Sequence, residues 1–286
     1  MIKAITGVDH VFLLVRDLDG ARARMERLGF TVAPRGVHSP QMGTANHTIM
    51  LEEDYFELLG IVTPTALNLR RRQELARYQG LHAIALRTPD ARKAWAELRA
   101  AGVAAADPVG FSRPVELPDG SRQEAAFTVT VIPEDAAPAV EMFVCEHHTR
   151  ELVWLPPLTR HPNSAIGLAS VTVVVADPGS VVEPYRRLFG AASVTADKSG
   201  VTVRIGQCPV VFIPPAALAE RYRGVALGEV APTMMLGLGI AVRELAAVRA
   251  CLEKAGVGAA AFDGGLRVAP AEACGVVLDF CPAGDR

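Results

Sequence analysis

Apolar positions come in short strand-like runs, and each run hands over to a stretch with helical spacing. Residues 8–15 form the first run, with a single imidazole, His10, near its start and Asp17 after its end, where an N-cap is expected. Leu18, Ala21, Met25 and Leu28 then recur at helical spacing until Gly29 stops the helix. Three strands are predicted next, over residues 30–33, 46–51 and 55–61, the last reading YFELLGI with Glu57 inside it.

The same order begins again at Gly80. GLHAIALR carries His82, Asp90 opens a helix through Trp95 and Leu98, and Ala101-Gly102-Val103 closes it. Later strands are predicted over residues 112–117, 125–132 and 139–145, with a hairpin turn at Pro118-Asp119-Gly120-Ser121 and Glu141 in the last strand. From His147 to Ser164 three prolines, Pro156, Pro157 and Pro162, break any regular element, so this stretch reads as a connection. The pattern resumes over residues 168–175, with a helix through Tyr185 and Leu188 that ends at Gly190. It starts a fourth time near Met234, and that helix ends on Ala255-Gly256-Val257. The chain is therefore predicted to be α+β, four strand-helix-strand-strand-strand units in two tandem domains. The boundaries expected are 1–148, a Pro-rich connector over 149–165, and 166–286.

The repeats also set a register between units. Aligning the two Ala-Gly-Val ends puts Leu236 where the second unit has His82, and aligning Asp177 with Asp17 puts Ser170 where the first has His10. All histidines lie at or before His161, and Asp279 is the one carboxylate of the second half in the place of Glu141, with no partner apparent. The chemistry is expected in the first half, with the second as a degenerate copy.

Strand alternation places His10 with Phe12 and Leu14, His82 with Ile84 and Leu86, Glu57 with Tyr55 and Leu59, and Glu141 with Phe143. Ionisable groups among such neighbours are costly unless paired or bound to metal. His10, His82, Glu57 and Glu141 are therefore candidate ligands of one divalent ion, with Zn, Ni, Co, Fe(II) and Mn all suited to this donor mix. Such an ion would polarise a substrate oxygen and acidify the adjacent C–H, leaving Glu57 or Glu141 to move the proton. His47 is a second catalytic candidate, beside its plainer reading as a polar strand residue. Arg113 is a candidate partner for a substrate carboxylate, beside the commoner reading as an exposed strand arginine. His147 and His148 are placed either at the pocket mouth beside Trp154 or in a solvated connector. Cys145 is taken as core.

Composition narrows the classes. Half of the 286 residues are hydrophobic, enough for substantial cores, and a net charge of −2 gives no field for nucleic acid or anionic lipid. The run Arg70-Arg71-Arg72 sits in a predicted helix and reads as a solvated face. The opening MIKAITGVDH gives no expectation of a secretory leader, and MMLGLGIAV is too short to span a membrane. Five cysteines without CxxC spacing suit reduced thiols, so a cytoplasmic location is expected.

The fragments DHVFLLVRDLDGA, YFELLGI, LHAIALRTPD and VEMFVCEHHTRELVW resemble the vicinal oxygen chelate superfamily, in particular its glyoxalase-like proteins. The resemblance implies tandem domains of the glyoxalase, bleomycin-resistance and dioxygenase type. From glyoxalase I it implies ligands at His10, Glu57, His82 and Glu141, and from the extradiol dioxygenases at His10, His82 and Glu141. Dioxygenases of this kind carry their working set in the C-terminal half, unlike this chain. The expected function is thus a metal-dependent lyase or isomerase acting on a small oxygen-chelating substrate. A ring-cleaving Fe(II) dioxygenase and a non-catalytic ligand-binding or resistance protein are the alternatives. The expected partner is a small molecule, with no nucleic acid and no membrane; a homodimer stays open.

Overall fold

The structure is a computed structural model that describes residues 1–117 and 120–284. The first unit runs β1 (Gly7–Val15), α1 (Leu18–Arg27), β2 (Gly36–Val37), β3 (Thr44–Met50) and β4 (Tyr55–Ile61). After a linking helix, α2 (Leu69–Arg77), the second runs β5 (Gly80–Arg87), α3 (Ala91–Ala100), β6 (Val109–Glu116), β7 (Arg122–Ile132) and β8 (Glu141–His147). The third comprises β9 (Ala165–Val174), α4 (Val182–Phe189), β10 (Val194–Asp197), β11 (Gly200–Val203) and β12 (Val210–Ile213). A second linker, α5 (Leu218–Arg221), leads to the fourth: β13 (Met234–Val242), α6 (Leu245–Ala255), β14 (Ala259–Phe262), β15 (Gly265–Val268) and β16 (Val277–Pro282). Four units of identical order make the fold α+β, as the repeats predict. Among the described residues no helix is long and apolar enough to cross a membrane.

The local signals act as expected. The Asp17 side chain accepts from the Gly20 amide at 3.0 Å and Asp90 from the Lys93 amide at 2.9 Å, each satisfying a free N–H of a first helical turn. In every unit the first strand lies parallel to the last: β1 with β4, β5 with β8, β9 with β12 and β13 with β16. First strands then pair antiparallel within each half, β1 with β5 and β9 with β13. The first half is the curved series β2-β3-β4-β1-β5-β8-β7-β6, and the ladder pairing that joins it to the second half, β5 with β13, is the pair Leu81 and Met235.

One continuous core lies between the sheets and helices α1, α3, α4 and α6, with Met25, Leu98, Tyr185 and Leu252 all in it. The halves share this core: Phe30 stacks on Phe280 at 5.8 Å. Gly29, at φ +85°, is needed there, because a Cβ would meet the Cys251 sulfur at 2.6 Å.

Two expectations are corrected. Residues 30–33 form no strand; the Thr31 amide donates to His161 Nδ1 at 3.0 Å, so the connector takes a backbone group that a ladder would use, while the Ala33 amide reaches β3 at the Thr48 carbonyl, 2.9 Å away. A two-residue strand, β2, follows instead. The turn at Pro118-Asp119-Gly120-Ser121 lies partly outside the described residues, while β6 and β7 pair antiparallel on either side of it.

The two concave sheet faces differ. In the second half the chain between β12 and β13 folds across the face and fills it with Tyr222, Leu218, Leu227 and Val230 packed on Val174 and Leu236. Asp279 is not unpartnered there. It holds Arg267 through two bonds, 2.6 and 2.7 Å, and that guanidinium also lies over the Tyr222 and Phe262 rings. In the first half the corresponding link is α2, which leaves a cavity beneath it.

Candidate functional site

That cavity has a volume of about 410 Å³. Its walls come from alternate residues of the strands: His10 and Phe12 of β1, Tyr55 and Glu57 of β4, Asn46 of β3, Glu141 and Phe143 of β8, Phe127 of β7 and Arg113 of β6. His10 sits opposite Tyr55 and Phe12 opposite Glu57 in the parallel β1–β4 pair, so His10 and Glu57 are diagonal neighbours on one face.

A β-bulge in β1 builds the first polar group. The register jumps between Val8 and His10, leaving Asp9 as the extra residue. Its carboxylate is fully buried and lies 2.7 Å from His10 Nδ1 and 2.9 Å from His147 Nε2. Burial alone would raise the Asp9 carboxyl, but the hydrogen bonds and charges of the two imidazoles hold it well below the usual carboxylate range. Asp9 is therefore ionised and accepts from both rings. With Nδ1 of His10 donating, its Nε2 is the nitrogen left for the cavity. The His10 ring is clamped by Tyr55, stacked at 4.3 Å, and by the edge of Phe143 at 5.6 Å. Ala85, small and directly between His10 and Phe143 in the sheet, lets side chains of β1 and β8 meet over it.

Cys145 completes the group. The ligand atoms of Asp9, His10, Cys145 and His147 lie within 4.8 Å of one another, and among the described residues no other set of three or more His, Cys, Asp or Glu side chains is gathered this closely. Burial, followed by the charges of Asp9 and Glu57, raises the Cys145 thiol well above its ordinary range, so it is protonated here. Asp9 escaped the sequence reading although it stands beside His10; an acid in the middle of an apolar run was the signal. Cys145, read as core, and His147, one of two readings for the pocket mouth, both belong to this group, and His147 does lie beside Trp154 at 5.1 Å between ring centres.

The ligand set expected from sequence, His10, His82, Glu57 and Glu141, is not brought together. Glu141 faces the cavity, but both its oxygens are bound by Arg71, one at 2.7 Å, and Arg70 adds a contact at 3.0 Å. Arg71 also reaches Glu74 at 2.9 Å and lies over the Phe12 ring at 4.8 Å, so the arginine run is no solvated face. His82 is turned away by a second bulge: Phe12 pairs with Ala83 and Leu13 with Leu81, which leaves His82 between them outside the ladder. Its ring stacks on Tyr78 at 4.3 Å, Nδ1 bonds the Gly80 carbonyl at 2.8 Å, and Nε2 is buried without a partner. Alternation on β5 is thus one residue out of the expected step. Ala83 and Ala85 face the cavity side, while Ile84 and Leu86 are in the core.

Glu57 keeps its place on the wall. Asn46 Nδ2 donates to its Oε1 at 2.9 Å, which steadies the carboxylate and leaves the second oxygen. His47 does not line the cavity. On β3 it shares parity with Ala45 and Ile49 of the core, opposite to Thr44, Asn46 and Thr48, and its Nδ1 donates to the Ala33 carbonyl at 2.8 Å. Burial lowers its basicity, and its neighbours in charge are Arg22, Arg35 and Asp19 on the α1 side.

A divalent ion is implied by the resemblance, and the four gathered side chains fit one. They offer one oxygen, two nitrogens and a sulfur in a buried space, the donor mix of zinc-type sites. Asp9 Oδ2 and His147 Nδ1 are also buried without hydrogen-bond partners, with the Arg87 Nε 3.7 Å from that carboxylate oxygen.

Comparison with known proteins agrees with the architecture. A hypothetical protein from Staphylococcus aureus superposes with a TM-score of 0.70 at 13% identity, over 96% of this chain and 99% of that one. A xylose isomerase-like TIM barrel/4-hydroxyphenylpyruvate dioxygenase fusion protein gives 0.60 at 15% identity, over all of this chain and half of that one. Methylmalonyl-CoA epimerase from Mycobacterium tuberculosis matches over 51% of this chain and 91% of its own, at 19% identity and a TM-score of 0.38. A search of curated proteins finds no match. The glyoxalase-like domain family matches residues 8–189, well over half of the chain. With four such units, paired two to a cup, the chain belongs to the glyoxalase-like domain family and has the vicinal oxygen chelate fold.

Proposed function

We propose that the first-half cavity is an active site for proton transfer on a small substrate with neighbouring oxygens, glyoxalase-like lyase or isomerase chemistry assisted by a divalent ion. The observation that carries this reading is the buried group Asp9, His10, Cys145 and His147, two of whose members, His10 and Cys145, line the cavity together with the carboxylate of Glu57. Those four side chains would hold the ion, Cys145 giving up its thiol proton to do so, and a sulfur with two imidazoles favours zinc over manganese. When bound, the ion supplies Lewis acidity, withdrawing charge from a substrate oxygen and acidifying the adjacent C–H.

The chain's own residues do the rest. Asp9 fixes the orientation of His10 and His147. Glu57 takes the C–H proton on the oxygen that Asn46 leaves open, and returns it to the neighbouring carbon in an isomerase or to a departing oxygen in a lyase. Tyr55, Phe127 and Phe143 shield the site from water. The ring-cleaving alternative needs Glu141 as a ligand, and Arg71 holds both of its oxygens.

Elemental analysis and deuterium uptake from D₂O into 2-hydroxy ketones, followed by NMR, test the proposal together. About one ion per chain is expected, lost in His147→Ala. Glu57→Gln should keep the ion and slow exchange by roughly 10²–10⁴-fold, the span of general-base contributions. Full exchange in metal-free protein would remove the ion from the mechanism, and wild-type exchange in Glu57→Gln would remove the base. Oxygen uptake with catechols under Fe(II) would favour the dioxygenase instead, and tight binding without turnover the carrier.

A further inference from the structure

Several arginines around the first-half cup are paired. Arg71 holds Glu141 and Glu74, Arg87 lies against Asp9 and Glu53, Arg150 against Glu53, and Arg35 against Asp19. Arg113 projects from β6 into the cavity wall, half-buried, and among the described residues it makes no hydrogen bond or ion pair. Its neighbour is the Phe127 ring, 6.0 Å from the guanidinium carbon. A guanidinium partly removed from water and given only an aromatic face is under-compensated. Gly36 lets this corner of the wall pack closely, since a Cβ there would come within 2.3 Å of Asn46 Oδ1 and 3.4 Å of Arg113 Nη1.

We infer that Arg113 anchors the carboxylate of the substrate, and that the substrate class is an aromatic carboxylic acid. The inference rests on the proposed active site and names what that site takes. Rings are favoured because Phe12, Tyr55, Phe111, Phe127 and Phe143 line the cavity, faces that stack on another ring. A single negative charge is favoured over a phosphate dianion because the Glu57 carboxylate lines the same cavity and repels further charge. Arginine and carboxylate match as a fork of two parallel hydrogen bonds, which fixes the ring's direction and turns the far end of the acid toward His10 and Glu57.

Isothermal titration of the full chain with mandelate, phenylacetate and 2-naphthoate, each against its primary amide, tests the assignment. The acids should bind at least about tenfold more tightly than the amides, a gap of about 1.4 kcal/mol. Arg113→Gln should close that gap, Arg113→Lys should restore part of it, and Arg35→Gln should leave it unchanged. Circular dichroism confirms that each variant folds. Amides that bind as well as acids, a gap that persists in Arg113→Gln, or no binding of any of the three acids at millimolar concentration would each overturn the inference. Binding of acids through Arg113 without proton exchange would uphold it while removing the proposed function; exchange that depends on Glu57 but is indifferent to Arg113 would do the reverse.

Discussion

Asp9 survives as a fully buried ion because two imidazoles donate to it, and it is available to them only because a bulge displaces it from the ladder. One inserted residue turns a position that alternation would send into the core toward the polar group instead. His10 and Glu57 were legible from alternation, since the β1–β4 pair is regular around them. His82 was not, because the second bulge lies at its own position. His47 had the right strand and the wrong face, and its bond to the Ala33 carbonyl shows an imidazole used for structure. His47→Ala should accordingly cost roughly 2–4 kcal/mol in urea unfolding, from the cavity and the lost hydrogen bond. Proton exchange at the Glu57 site should stay within about twofold of the wild type by the same NMR assay, since general acid–base groups cost far more when removed. A hundredfold loss would return His47 to the mechanism.

At the level of elements, the connector is a clasp. Trp154 Nε1 donates to the Leu51 carbonyl at 3.1 Å, Arg150 lies 3.4 Å from the Trp154 ring centre, and His161 joins two segments of the first half. His161 Nδ1 accepts from the Thr31 amide while Nε2 donates to the Met50 carbonyl at 2.8 Å, so only the neutral ring can make both bonds. Burial lowers its basicity from the ordinary value of 6.5, with the Met50 bond opposing. A lowered folded pKa means the contribution to stability is complete above about pH 6.5 and is lost as pH falls from there through the folded value. The protection of the Thr31 amide against hydrogen exchange, corrected for the intrinsic pH dependence, should therefore fall between pH 7.5 and pH 5, and His161→Gln should flatten the difference. Equal protection at both pH values would mean that His161 does not hold the connector. The prolines announced a connection, but no periodicity tells which backbone groups an irregular stretch will satisfy. The same holds for the link between units: helix α2 was visible as a pattern, whereas the destination of Arg71 across the cup was not.

Across the whole molecule, duplication produced two similar cups with different contents. The first keeps a cavity under α2, with Arg71 bound to Glu141 at its edge; the second is filled by the segment before β13, with Arg267 bound to Asp279. Both halves thus place an arginine on the carboxylate of a last strand, but only the first leaves space beside it for a ligand. Because Arg267 and Asp279 are nearly enclosed, with side chains 5% and 13% exposed, removing one partner strands the other. Asp279→Asn should destabilise the chain by about 3–5 kcal/mol in urea unfolding, and the double change Arg267→Met with Asp279→Leu should recover most of it. A loss under about 0.5 kcal/mol would show that Arg267 finds water or another partner.

The amino-acid sequence by itself determined the units, their order and their caps, because hydrophobic period, capping residues and helix-ending glycines act over a few residues each. Tertiary structure alone decided which side chains meet. The partners of Asp9 lie one and 138 residues away, and those of Glu141 reach back across the cup from a separate helix. Two bulges, each a single-residue slip between neighbouring strands, displace Asp9 and His82 from the ladder, and a slip of that kind leaves no trace in the periodicity of either strand taken alone.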